Sequence, residues 1–551
     1  MWLRNFVFIL LCLAGLTGLA ASLVPVHKGP RENRLHPANA GVVADREAAE
    51  TASLIDQTFR ADWSRENLIP TPRADDLTIA RRLALGLMGT IPSLEELRHL
   101  EAEPADGRLD RWLTDILEDR RCHDYLAERL TRAFVGVQDG PFIIYRRRRF
   151  RAWLSDNLQT NRPYDEIVRD LITESGLWTD HPATNFITVT VKPDQEKGPD
   201  EGELAARVSR AFLGVRLDCA ECHDHPFQPW KQADFQGLAA FFGHTKQQLT
   251  GITDGEGEYV VESRVTGEKQ TIAPCVPFKT ELLPATGTRR QQLAAWVTHR
   301  DNRAFARAAA NRFWAELFGR PLVEPIDDIQ SAGEPPAVLE ILANDFVAHG
   351  YDLRRLLRTI AMTEAFQLDS RRDASSPDAS SIATEITAEH EAAWAAFPIT
   401  RMRPEQVIGG ILQSGSLTTI DYESHIVVRV LRVIGQNDFI KRYGDLGEEE
   451  FSPQGGTIPQ RLLMMNGKQL QDRIGQGPLT NATSQIATLA PTDEKAVETA
   501  YLAVLTRRPT AEERRYFEAS LGSQTDKRSR NERLEDLAWC LLNSTEFSWN
   551  H

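Results

Sequence analysis

The chain has 551 residues, of which 41% are hydrophobic and 26% charged, the composition of a globular protein with more than one domain. Its formal net charge of −14 argues against a general nucleic-acid partner, because binding to phosphates needs clustered positive charge. Six cysteines in a chain of this length are too sparse for a disulfide scaffold.

The first 26 residues predict a targeting segment. Arg4 precedes an apolar stretch from Phe6 to about Val26, and the small residues toward its end suit a signal peptidase. The stretch is also close to the shortest length that spans a bilayer, so a signal peptide and an uncleaved membrane anchor both stay open. Either one predicts an exported protein, periplasmic or membrane-anchored, with its body outside the cytoplasm. Residues 27–50 are polar and rich in Pro and Ala, and are predicted to be a tether.

From Thr51 onward, apolar residues recur at helical spacing and predict a mainly α-helical protein. Residues 51–249 are expected to form one helical domain, and residues 288–551 a second. Between them, residues 250–287 alternate and contain β-branched residues, which predicts a β-rich connector with a hairpin from Tyr259 to Ile272. The expected fold class is therefore a multi-helical two-domain protein with a small β-hairpin excursion between the domains.

Two helix starts share one sequence signature. Ser93 with Glu96, and Thr510 with Glu513, each form an S/T-x-x-E capping box after a proline. An amphipathic helix follows each of them, and we interpret the two as copies of a three-helix unit whose apolar stripes pack a core. This similarity between the two segments concerns structure only and predicts no chemical function.

Several catalytic patterns are missing from the sequence. It contains no G-x-S-x-G, no G-x-x-x-x-G-K-[ST], no G-x-G-x-x-G and no H-E-x-x-H. These absences argue against an α/β-hydrolase, a P-loop enzyme, a Rossmann dehydrogenase and a zincin. A catalytic site assembled from scattered residues is not excluded by them, so the sequence leaves enzymatic activity undecided.

Three other clusters are interpreted mainly as structural. The basic run Tyr145–Arg151 is predicted to be a solvated helix face paired with nearby acids, with contact to a haem propionate or an anionic partner as the alternative. Asp327 and Asp328 are expected to serve a loop or a helix cap. The aromatic residues of the 313–318 segment, Phe313, Trp314 and Phe318, are expected in the core.

The stretch Cys219-Ala-Glu-Cys222-His223 is the pattern that attaches a c-type haem. Covalent haem c needs two thiols that reach both vinyl groups and an imidazole that reaches the iron, and this spacing provides all three. The preceding sequence predicts a helix that runs through the motif and is stopped by Pro226. We therefore predict haem c on Cys219 and Cys222, with His223 as the proximal ligand.

Two other interpretations of these cysteines stay open. Cys219 and Cys222 have the chemistry to join His225 or His244 around a zinc ion. A strained disulfide between the two cysteines is the third possibility. The methionines that sometimes complete a haem site are all distant in sequence, so the sequence names no sixth iron ligand.

From about Ile55 to His551 the sequence resembles the planctomycete-type secreted proteins that join a cytochrome-c-like domain of unknown function to a planctomycete-specific domain of unknown function. The resemblance to the first domain is carried by ADDLTIARRLALGLMGTIPSLEEL, NRPYDEIVRDLITESG and CAECHDHPF. The resemblance to the second is carried by LAAWVTHRDNRAFARAAANRFWAELFGRPLVEPIDDI, YDLRRLLRTIAMTEAFQ and EDLAWCLLNSTEFSWNH.

The resemblance implies an exported, mostly helical protein. The family is called cytochrome-like because of its C-x-x-C-H motif, which corresponds here to Cys219, Cys222 and His223. No reaction is established for the family. We expect electron transfer or a redox-linked accessory role at the cell envelope, with a redox partner or envelope protein that the sequence does not identify. The alternative is a non-redox binding or assembly module whose Cys/His site holds zinc or a disulfide. An accessory role in polymer degradation is a third expectation.

Overall fold

The computed structural model describes residues 38–137, 145–191, 198–262, 267–371, 386–422, 424, 439–444, 451, 456–467, 481–522 and 527–551. Over these ranges the protein is mainly α-helical with small two-stranded sheets, which confirms the predicted fold class. Across the same ranges, no helix has the length and apolar character needed to cross a bilayer, and the predicted targeting segment lies outside them.

The first half of the chain forms ten helices within the described ranges. They are α1 (Ala38–Glu66), α2 (Asp76–Met88), α3 (Leu94–Ala102), α4 (Arg108–Glu118), α5 (Arg120–Val135), α6 (Arg147–Gln159), α7 (Tyr164–Thr173), α8 (Asn185–Thr188), α9 (Glu201–Val208) and α10 (Gln232–Ala239). The predicted tether is helical from Ala38 onward. Ser93 and Glu96 form the predicted capping box at the start of α3.

The second half is helical after the connector. Its described helices are α11 (Arg289–Val297), α12 (Arg303–Phe318), α13 (Ala337–Ala348), α14 (Leu353–Met362), α15 (Glu364–Gln367), α16 (Ala388–Ala392), α17 (Pro404–Ser414), α18 (Ile458–Asn466), α19 (Ala482–Leu489), α20 (Asp493–Leu505), α21 (Ala511–Gly522) and α22 (Lys527–Leu542). Thr510 and Glu513 exchange the two hydrogen bonds of the second predicted capping box.

Two hairpins connect the halves. Strand β1 (Thr245–Gln248) pairs antiparallel with β2 (Gly251–Asp254), and β3 (Tyr259–Glu262) pairs antiparallel with β4 (Lys269–Ile272). The second hairpin is the predicted one, with Tyr259 opposite Ile272, whereas the first is short and polar and was not predicted. A third strand pair joins β5 (Thr400–Arg401) to β6 (Trp549–Asn550).

Helices from both sides of the connector share the larger hydrophobic core. Its members run along the chain from Ile55 to Phe397, and α12 lies within it. Trp314 and Phe318 stack with their ring centroids 4.2 Å apart, and together with Phe313 they are fully buried, which confirms the core prediction. A smaller core is built mainly by α17, α20 and α22, so the last part of the chain packs largely on itself.

A buried ion cluster lies between the two halves. Arg129 and Arg403 both pair with Glu316, at 3.3 Å and 2.9 Å, and Arg132 pairs with Glu405 at 2.8 Å. All five side chains are less than 10% exposed. Removing one partner of such a cluster leaves an uncompensated buried charge, so it fixes how the two halves fit together.

The side chain of Arg82, on α2, donates hydrogen bonds to backbone carbonyls in distant parts of the chain. Its guanidinium donates to the carbonyls of Phe366, Leu368 and His551 and lies 3.6 Å from the ring centroid of Phe397. The side chain is fully buried, and burial lowers its pKa to about 9. These backbone acceptors satisfy a charge that would otherwise be costly to bury.

Candidate functional site: the CxxCH loop

The polypeptide reaches the CxxCH motif through an interrupted helix. Helix α9 passes into a π turn at Ser209–Leu213 and ends at Gly214, which has a left-handed backbone (φ 59°). A Cβ at Gly214 would lie 2.9 Å from the Ile329 side chain, and the Gly214 carbonyl accepts from the Ile329 N–H instead of continuing the helix. The prediction of one helix running to Pro226 is therefore wrong.

The two motif thiols lie on a tight turn after this break. A 3₁₀ turn spans Leu217–Ala220, and Glu221 keeps a helical backbone, so Cys219 and Cys222 are three residues apart on a tightly wound segment. Residues three apart on a 3₁₀ turn face the same side. Leu217 and Ala220 are fully buried and fix the turn, whereas both cysteines are exposed and carry free thiols.

His223 is exposed, and its ring is held in one tautomer. Its Nδ1 lies 2.7 Å from the carbonyl oxygen of Asp224. A carbonyl can only accept, so in the neutral ring the proton is on Nδ1 and the lone pair is on Nε2. Histidines that ligate metals are commonly oriented in this way, with the other ring nitrogen donating to a carbonyl.

The loop after the motif closes on itself through His225. The Nδ1 atom of His225 accepts from the N–H groups of Phe227 and Gln228, at 3.1 Å and 3.0 Å, and the His225 N–H donates to the Trp230 carbonyl. Trp230 is buried against Phe278, with ring centroids 6.2 Å apart. In His225, Nδ1 is therefore an acceptor that stabilises the loop, whereas in His223 the same ring nitrogen is a donor.

Three acidic side chains fasten the loop to the body of the protein. Asp218, directly before Cys219, binds Arg210, with one contact at 2.9 Å. Asp327 forms a two-atom ion pair with Arg216, at 2.9 Å and 2.8 Å. Burial opposes the ionisation of Asp218, but the hydrogen bond and charge of Arg210 outweigh it and lower the pKa of that carboxyl.

Asp328 completes this attachment by accepting from the side-chain amide of Gln228 at 2.9 Å. Asp327 and Asp328 thus lie in a loop, as predicted, and hold the motif to the second half of the chain. This anchoring role depends on partners about a hundred residues earlier, so no local pattern in the sequence predicts it.

The alternative zinc ligands are divided between two places. His225 lies on the motif loop, whereas the Nε2 atom of His244 lies 3.9 Å from Glu258, which is itself bound by Arg289 at 2.7 Å. Among the residues that the structure describes, no group of three or more His, Cys, Asp or Glu side chains is arranged to hold a metal ion.

The basic run Tyr145–Arg151 is paired with acid, as its main interpretation expected. Arg147 and Arg151 on α6 bind Glu128 of α5 at 2.9 Å and 3.2 Å. Although burial alone would raise the pKa of Glu128, these charges and that of Arg132 lower it. The run is therefore a charge-paired helix face, as the sequence indicated.

One exposed aromatic residue was not singled out from the sequence. Phe227 is 93% exposed and packs edge-on near His225, with ring centroids 6.4 Å apart. This exposed ring lies on the same loop as the two thiols. Its position after a proline in a polar stretch gave no periodic signal that would have distinguished it from a core residue.

Comparison with known families matches one region in each half of the chain. Residues 54–247 match PSCyt2, protein of unknown function (DUF1549), and residues 289–428 match PSD1, protein of unknown function (DUF1553). The chain is a PSCyt2–PSD1 protein. The match confirms the resemblance inferred from the sequence, and the CxxCH loop lies within the PSCyt2 region. No curated protein and no solved structure matches the chain.

The PSCyt2–PSD1 arrangement also assigns the residues that surround the loop. Arg210, Arg216 and Gln228 come from the PSCyt2 region, and Asp327 and Asp328 come from PSD1. The candidate site is therefore held in place by both regions, although its thiols and imidazole come from one.

Proposed function

We propose that this protein is an exported PSCyt2–PSD1 protein that carries one haem c on Cys219 and Cys222, with His223 as the proximal ligand. Its role is electron transfer or a redox-linked accessory function at the cell envelope. The observation that supports this most directly is the state of His223, whose Nδ1–H donates to the Asp224 carbonyl and leaves an exposed Nε2 lone pair beside two free thiols.

The donor set suits the chemistry of attachment. Two exposed thiols on one tight turn supply both thioether sulfurs, and the imidazole that follows them supplies a nitrogen ligand. When bound, the haem supplies a one-electron couple whose potential depends on its axial ligands and surroundings. Leu217 and Ala220 hold the turn from below, and the Arg210–Asp218 pair fixes the residue before the first thiol.

The exposure of the loop favours exchange with a partner over catalysis in a closed site. Cys219, Cys222 and His223 are exposed, and Phe227 beside them is nearly fully so. A redox group on such a loop approaches the surface of a partner closely without a conformational change. The partner is an envelope protein of unidentified kind.

Export is part of the same proposal. The apolar segment Phe6–Val26 supports it, and haem c attachment takes place outside the cytoplasm. A reporter that is active only in the periplasm, fused after the last residue, is expected to be active. Cytoplasmic reporter activity together with the absence of membrane association would refute export.

The deciding experiment is expression of the full chain in a host with cytochrome c maturation. We expect the intact mass to include one haem, the pyridine haemochrome spectrum to be that of a c-type haem, and the haem to stay attached after denaturation. The variant Cys219→Ala/Cys222→Ala is expected to lose it entirely. Cys540→Ala, which removes an exposed thiol elsewhere, is the matched control and is expected to keep it.

A blank spectrum and a mass without haem would overturn the proposal. Metal analysis would then separate the alternatives, because a zinc site adds one metal per chain and a Cys219–Cys222 disulfide lowers the mass by two hydrogens. In the zinc case, His225 and His244 become the residues to substitute.

A further inference from the structure

A small cavity lies between α5 of the PSCyt2 region and α14 of the PSD1 region. Five leucines and Cys122 form the apolar part of its wall, and His123 and Arg354 contribute polar groups, one from each region. The cavity volume is about 20 Å³. On the same measure one water molecule needs roughly 10–15 Å³, so the cavity admits a single water and no organic ligand.

The first polar group in the wall is His123, whose side chain is deeply buried. Its Nε2–H donates to the Leu117 carbonyl at 3.0 Å, so in the neutral ring Nδ1 carries a lone pair. This Nδ1 atom is buried and has no hydrogen-bond partner within the described ranges of the chain. A buried acceptor that needs a donor therefore adjoins the cavity.

The second polar group, Arg354, has the complementary atom. Its Nη2 donates to the Gln159 carbonyl at 2.7 Å and so fixes the guanidinium, whereas its buried Nε–H finds no acceptor in the part of the chain that the structure describes. The two side chains are near enough for their charges to interact, because after burial the charge of Arg354 is the largest cause that lowers the pKa of His123. An unused donor and an unused acceptor thus share one cavity.

We propose that this cavity is a binding site for one water molecule, which accepts a hydrogen bond from Arg354 Nε and donates one to His123 Nδ1. Water is both donor and acceptor, so one molecule satisfies both groups, and the side chain of Asn161 in the same wall offers a third polar contact. The water connects α5 of PSCyt2 to α14 of PSD1. The site lies outside the CxxCH loop, and the proposal does not depend on haem.

The same two groups exclude other occupants of this size. An anion is repelled by the lone pair on His123 Nδ1, and a cation is repelled by the guanidinium charge of Arg354. An apolar gas atom suits the leucine wall, but it leaves the donor and the acceptor unpaired, which is costly for buried groups. A neutral molecule that both donates and accepts is the remaining chemistry.

The direct test is a high-resolution crystal structure of the full-length protein at neutral pH. We expect an ordered density peak at hydrogen-bond distance, about 2.7–3.2 Å, from both His123 Nδ1 and Arg354 Nε. Absence of a peak while both side chains are well ordered overturns the proposal. A His123 ring turned so that Nδ1 binds a protein atom also overturns it, as does a peak whose anomalous signal identifies an ion.

A double-mutant cycle tests the connection in solution. His123→Gln keeps a donor for the Leu117 carbonyl but removes the Nδ1 acceptor, and Arg354→Lys keeps the charge but removes the Nε donor. Either change alone breaks the connection, so the double variant should be less destabilised than the product of the single effects on the unfolding equilibrium constant. We expect a difference of about three- to tenfold, the size of one hydrogen bond, measured by urea denaturation.

The matched control pairs His123→Gln with Arg355→Lys. Arg355 is bound by Asp345 at 2.8 Å and is not part of the cavity wall, so this pair should depart from the product by less than about twofold. A coupling between His123 and Arg354 no larger than that of the control overturns the proposal. The crystal structure of the wild type decides the question even where a variant does not fold.

Discussion

The chain contains the triplet Cys-His-Asp twice, at 122–124 and at 222–224, in opposite environments. The first lies on α5, where Cys122 is 1% and His123 is 3% exposed. The second lies on the open CxxCH loop, where the cysteine and the histidine are both exposed. The same residue types are thus a packing element in one place and a candidate cofactor site in the other, and burial makes the difference.

The two histidines also use different nitrogens. His123 donates from Nε2 to the Leu117 carbonyl at 3.0 Å, and its buried Nδ1 has no hydrogen-bond partner among the residues that the structure describes. His223 donates from Nδ1 and presents Nε2 to solvent. Burial raises the pKa of the Cys122 thiol and lowers the pKa of His123 to about 4, so the buried pair is held in its neutral form.

The largest expected difference is in thiol reactivity. In haem-free wild-type protein, a maleimide should label Cys219 and Cys222 at least about 1,000-fold faster than Cys122, whose reaction needs local opening of a packed helix. Peptide mass spectrometry over a time course measures the rates, and urea-denatured protein, in which all cysteines are equally accessible, is the control. Comparable labelling rates in the native protein would show that burial does not protect Cys122 on α5.

Removing the histidine side chain should have different effects on protein stability in the two triplets. His123→Ala leaves a cavity and an unpaired Leu117 carbonyl, and should lower the free energy of unfolding by about 2–4 kcal/mol. His223→Ala removes an exposed ring and should change it by less than about 0.5 kcal/mol. Urea denaturation of haem-free protein measures both. A large decrease in the free energy of unfolding for His223→Ala would contradict this expectation, because it would show that the exposed His223 ring stabilises the fold.

Acid should destabilise the protein through the buried ring. Burial, followed by the charge of Arg354, lowers the pKa of His123 from 6.5 to about 4, so between these pH values the unfolded chain binds more protons than the folded one. This contribution to stability is full above pH 6.5 and is lost as the pH falls toward 4, by at most about 3 kcal/mol. His123→Gln should flatten that part of the stability curve; a slope identical to wild type would falsify the assignment.

The smallest expected effect concerns the attachment of the exposed loop. Asp218→Asn weakens the pair with Arg210, and because the carboxylate is partly exposed, the loss of stability should be about 0.5–1 kcal/mol. The lowered pKa of Asp218 means that this contribution is present at neutral pH and disappears in acid. Chemical denaturation at pH 7 and pH 3 tests both statements. An effect that is unchanged at pH 3 would assign it to packing instead.

Local patterns predicted the elements whose causes are local. The capping boxes at Ser93 and Thr510 and the hairpin ending at Ile272 all depend on neighbouring residues, and the structure has each of them. The helix expected to run to Pro226 failed because Gly214 turns left-handed where the Ile329 backbone needs its carbonyl. That partner lies more than a hundred residues away, and no window of the sequence contains it.

The same limit applies to the candidate site. The spacing of Cys219, Cys222 and His223 was enough to identify the donors, because the chemistry of attachment is written in five consecutive residues. The anchors were not predictable, since Arg216 and Asp327 are 111 positions apart.

Arg82 has a consequence for the time course of folding. Its acceptors at Phe366 and Leu368 are 284 and 286 positions further along the chain, so the charge on α2 cannot be buried until those residues have been synthesised. Contacts of such long range slow the search for the native state. The first half of the chain therefore cannot complete the burial of this charge on its own, and its fold depends on residues from the second half.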